Sequence, residues 1–97
     1  MISNNLTIES IISFLSKNKN NRFCICDYSD NNHNNYEIIY RIINNTILRK
    51  KWDTDNWEKT KFLKSNKEKL EYDIEKGKKF DKSKNPNKYT KVYTYNN

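Results

Sequence analysis

Ninety-seven residues suit one small domain with a modest core. Leu, Ile, Val and Phe total 21, near the level below which charged chains stay disordered, and the seven tyrosines and two tryptophans add the apolar area that favours folding. The formal charge of +7 is confined to the second half: residues 1–48 carry four basic and four acidic side chains, residues 49–97 fifteen and eight.

No stretch approaches the ~20 apolar residues of a membrane span, and MISNNLTIESIISFL lacks the cationic start of a secretory leader. Two cysteines without such a leader suit reduced thiols, so an intracellular protein without a membrane anchor is expected. Seventeen asparagines, sixteen lysines and eleven isoleucines, with no alanine or glutamine, are the usage of a very AT-rich genome. Part of the lysine content therefore reflects base composition. Only three basic residues are arginine, the side chain suited to bidentate base contacts, which weighs against sequence-specific DNA reading.

The first element is a helix over about Thr7–Lys17, with Ile8, Ile11, Ile12 and Leu15 on one face and Thr7 or Asn5 as cap. Arg22–Tyr28 reads as a strand apolar on both faces, hence central, followed by a polar loop over Ser29–Asn35. Tyr36–Trp52 is ambiguous between a helix and a hairpin. Its isoleucine density and Asn44-Asn45 favour two strands, YEIIYRII and TILRKKW, about an Asn-Asn turn.

Asp55–Glu58 and Ser65–Glu68 have the spacing of capping boxes. The first opens a short helix over about Asn56–Lys64, the second a helix over about Asn66–Lys76 with Gly77 as its stop. Residues 78–88 read as a charged linker. Tyr89–Tyr95 then alternates as an edge strand, with Tyr89, Lys91, Tyr93 and Tyr95 on one face. The expected fold is a single α+β domain: a small antiparallel sheet of three or four strands with two or three helices.

Cys24, Cys26, Asp27, Asp30 and His33 gather ligand-type side chains, but C-x-C without a second cysteine pair lacks the paired spacing of structural zinc sites. Packing as small apolar groups accounts for the cysteines, and neither metal nor cofactor is expected. C-x-C is also not the redox C-x-x-C motif. One histidine and one glycine leave no recognisable nucleophile–base pair or phosphate-cradling loop, so no enzyme is expected. The carboxylates of Asp53, Asp55 and Glu58 suit capping better than cation binding, since the glycine of a calcium loop is missing.

The basic second half carries the main functional signal. Arg49, Lys50, Lys51, Lys78, Lys79, Lys88 and Lys91 can neutralise phosphates, and Tyr93 and Tyr95 can stack unpaired bases. A solvated face with lysines over packed tyrosines is the plainer alternative. Nucleic acid or a nucleoprotein is thus the expected partner. The other candidate is a small accessory or inhibitor protein of viral or mobile-element type, docking on an acidic protein through Trp52 and Trp57.

Overall fold

The first helix, α1 (Ile8–Lys17), begins where hydroxyls can close its open amides. Ser10 N donates to Thr7 Oγ1 and Thr7 N to Ser10 Oγ, both at 3.1 Å, a reciprocal capping box. Its apolar stripe buries Ile11 and Leu15, as the spacing predicts. This computed structural model describes residues 6–27, 36–51, 54, 56, 57, 65–83 and 87–96.

The strands are β1 (Asn21–Asp27), β2 (Tyr36–Ile43), β3 (Thr46–Lys51) and β4 (Lys88–Thr94), all pairing antiparallel in the order β3-β2-β1-β4. The run Asn21–Cys26 is buried without interruption, as expected of a strand covered on both faces. The hairpin expectation for residues 36–51 holds. Asn44 and Asn45 adopt φ of 50° and 61°, the left-handed pair of a type I′ turn, whose twist matches that of the strands it joins. Asparagine tolerates this region far better than a β-branched residue would.

The second helix, α2, runs Asn66–Ser83. Ser65 caps it: Glu68 N donates to Ser65 Oγ at 3.2 Å and Lys69 N to Ser65 O at 3.1 Å. The expected stop at Gly77 is corrected. Gly77 is buried inside the helix, where a Cβ would overlap Thr90 Cγ2 and come within 3.0 Å of Ile25 Cδ1. The glycine serves close helix–sheet approach, not termination. Residues 78–83 accordingly belong to α2, not to a linker over 78–88. Beyond the glycine, Asp81 fastens helix to strand, accepting from Thr90 N at 3.2 Å and Thr90 Oγ1 at 2.7 Å.

Residues 58–64 of the expected middle helix lie outside the described residues, and Asn56 and Trp57 are not helical. The α+β expectation is met, with four strands in one antiparallel sheet and two helices among the described residues. No helix among them is long and apolar enough to cross a membrane.

Both helices pack on one sheet face. There Phe23 and Ile25 of β1 and Ile38, Tyr40 and Ile42 of β2 join Leu6, Ile11, Leu15, Leu70 and Ile74 in the main core. One polar network is embedded on this side. Tyr40 Oη donates to Asp73 Oδ2 at 2.6 Å, and Arg49 Nε donates to Tyr40 Oη at 3.0 Å while lying 3.6 Å from Asp73 Oδ2. Burial, then the Asp73 charge, raises the Tyr40 phenol pKa. The network ties β2, β3 and α2 together.

Candidate nucleic-acid interface

Strand alternation sends every second residue to the opposite face, and antiparallel partners share a face. The registers therefore place Arg22, Cys24 and Cys26 of β1 beside Ile39 and Arg41 of β2. Leu48 and Lys50 of β3 and Tyr89, Lys91 and Tyr93 of β4 lie on the same face, and Glu37 takes the register position opposite Cys26 at its end. No described helix covers it. Its floor is a small second core of Cys24, Cys26 and Ile39, against which Trp57, Tyr89 and Tyr93 pack.

The cations gather around the aromatic rings. Trp57 has the Arg41 guanidinium 5.2 Å from its ring centroid, Arg22 at 5.5 Å and the Lys50 ammonium at 5.0 Å. Arg22 also lies 5.7 Å from the Tyr95 ring, and Lys91 4.7 Å from the Tyr93 ring. Ring quadrupoles attract cations at such distances. Arg22, Ile39, Arg41, Lys50, Trp57, Tyr93 and Tyr95 enclose an open depression of about 360 Å³.

The two arginines are held together. Arg22 Nη1 donates to the carbonyls of Lys19 at 2.7 Å and Asn21 at 3.2 Å, and Arg41 Nη2 reaches the same Lys19 carbonyl at 3.5 Å. Arg22 is only 6% exposed. Its pKa is lowered by burial and then by the positive charge of Arg41; that of Arg41 is lowered by burial. Arginine keeps its proton regardless, so the shifts record the cost of holding these two guanidiniums away from water. Among the described side chains the ion pairs lie elsewhere, at Arg49–Asp73 and Lys78–Glu75. Arg41 Nε is buried with no hydrogen-bond partner. The surface is chemically suited to accept anions and to offer aromatic faces beside them.

Of the residues expected to bind, Lys50, Lys91, Tyr93, Tyr95 and Trp57 meet here. Arg49 does not: it shares the helix-side face with its partner Tyr40 and belongs to the internal network. Lys51 pairs with Ile38, on that same side, and is exposed. Lys78 pairs with Glu75 at 2.9 Å, Lys79 is exposed on α2, and Lys88 lies 5.3 Å from the Phe80 ring. These five form no common surface with Lys50 and Lys91.

Trp52, Asp30, His33, Asp53, Asp55 and Glu58 lie outside the described residues. Cys24 and Cys26 are buried beneath the aromatic layer, as packing groups would be.

Arg22 and Arg41 were not expected in the site. The signal lay in parity: each arginine alternates with residues of the main core, Phe23 on one strand and Tyr40 and Ile42 on the other, so both must share the opposite face. Comparison of the chain with protein-family models, curated proteins and solved structures gives no match.

Proposed function

We propose that this is a small non-enzymatic binding protein that holds single-stranded nucleic acid against the Trp57 side of its sheet. The observation that carries this reading is the convergence of Arg22, Arg41, Lys50 and Lys91 with Trp57, Tyr93 and Tyr95, without a carboxylate partner among the described side chains. Phosphates take the cations, and bases stack on tyrosine at the rim, where Tyr95 is 48% exposed. Trp57 is half-buried beneath three cations and positions them, so it is a poor protruding anchor for an acidic protein.

Fluorescence anisotropy of a labelled single strand, titrated with salt, tests this. Four cations predict a slope of log affinity against log salt that is negative and no steeper than about −3. An affinity insensitive to salt, or no binding at low salt, refutes it.

A further inference from the structure

We propose that the depression between Arg22, Arg41 and Lys50 is a subsite for a phosphate monoester, which under the strand-binding reading it rests on is a strand's terminal phosphate. Three cations converge on one concavity around Trp57. A backbone phosphodiester brings one negative charge to them. A monoester brings about −1.5 to −2 at neutral pH, and three acceptor oxygens.

The donors are poised for such a group. Arg41 has one long hydrogen bond, 3.5 Å to the Lys19 carbonyl, and its buried Nε–H has no acceptor. An oxyanion seated against that edge supplies the missing acceptor and separates two guanidiniums that now share one carbonyl. The size agrees. About 360 Å³ is at the low end of the roughly 300–1,000 Å³ of small-ligand pockets, room for one end nucleotide and not for a run of strand. Tyr95 at the rim offers a ring for that nucleotide's base.

The test compares one internally labelled oligothymidylate with a 5′-phosphate, a 3′-phosphate or only hydroxyl ends, by anisotropy at fixed salt. The expected result is a preference of about tenfold for one phosphorylated end, the effect of one good bidentate pair. Arg41→Lys, which keeps the charge and loses the fork, should bring the affinities of the three strands together, and a preference that survives it overturns the role given to the Arg41 fork. Equal affinity for all three strands overturns the proposal.

A second readout needs no variant. The side-chain Nε–H resonance of Arg41 in the unaltered protein should move on addition of thymidine monophosphate; a fixed resonance overturns the subsite. If the mononucleotide shifts that resonance while no oligonucleotide binds, the subsite stands and the strand-binding reading falls.

Discussion

Gly77→Ala separates local helix preference from tertiary packing. By helix propensity alone, alanine inside α2 should stabilise the protein by about 1 kcal/mol. Its Cβ, however, would overlap Thr90 Cγ2 and lie 3.0 Å from Ile25 Cδ1. The isoleucine methyl is the far end of a flexible chain and can yield. The threonine methyl cannot swing away, because Thr90 Oγ1 donates to Asp81 Oδ2 at 2.7 Å and its amide to Oδ1 at 3.2 Å. Overpacking costs about 1–3 kcal/mol, and this locked contact belongs at the upper end. After the propensity gain, the net destabilisation is about 2 kcal/mol. In a domain this small that lowers Tm by about 8–16 °C. Urea denaturation followed by tryptophan fluorescence measures it. Thr90→Ser removes the offending methyl and keeps the hydroxyl, so the double variant should recover most of the loss, a coupling of more than about 1 kcal/mol. Stabilisation by Gly77→Ala alone, or no relief from Thr90→Ser, would refute this account of helix–sheet contact.

Tyr40 titrates above its ordinary pKa of about 10 because burial and Asp73 disfavour the phenolate. Its contribution is therefore full below pH of about 10 and is lost as pH rises toward the folded-state pKa. The urea midpoint should fall more steeply above that pH in the native protein than in Tyr40→Phe, and parallel curves would contradict the assignment. At the hairpin, Asn45→Ala should cost about 1 kcal/mol because φ of 61° suits no Cβ-bearing apolar residue, whereas Asn45→Gly should cost nothing, as thermal melts of both will show. Arg41→Met removes an adjacent like charge and an unsatisfied buried donor; it should raise the urea midpoint while weakening strand binding, and a drop in both would make Arg41 a structural residue. Lys50→Gln or Lys91→Gln should each lower the magnitude of the salt slope by about 0.7, whereas Lys78→Gln and Lys79→Gln should leave it unchanged.

Much of the architecture was legible because local and tertiary signals agreed. The Thr7 cap and the Ile11/Leu15 stripe, the doubly apolar β1 and the Asn-Asn turn each say the same thing at both levels. Gly77 misled for the opposite reason. Glycine usually ends a helix, but here the shape of Thr90 across the sheet decides, and no window around residue 77 contains residue 90. The binding surface was half legible. Lys91, Tyr93 and Tyr95 advertise themselves by density along the chain. Arg22 and Arg41 stand alone in apolar strands and become a pair only when β1 and β2 are set in register. Arg49 and Lys50 show the converse. Adjacent in sequence, they go to opposite faces, so a basic run along the chain is not a basic patch.

The most direct measurement is amide and indole chemical-shift mapping of the isotope-labelled protein against a single-stranded oligothymidylate at low salt. Strand binding on the Trp57 side of the sheet predicts shifts concentrated at Arg22, Arg41, Lys50, Lys91 and Tyr95 and at the Trp57 indole, with α1 and α2 unmoved. Shifts centred on Lys78, Lys79 and the exposed side of α2, or none anywhere, would contradict the claim that this sheet face is the binding surface.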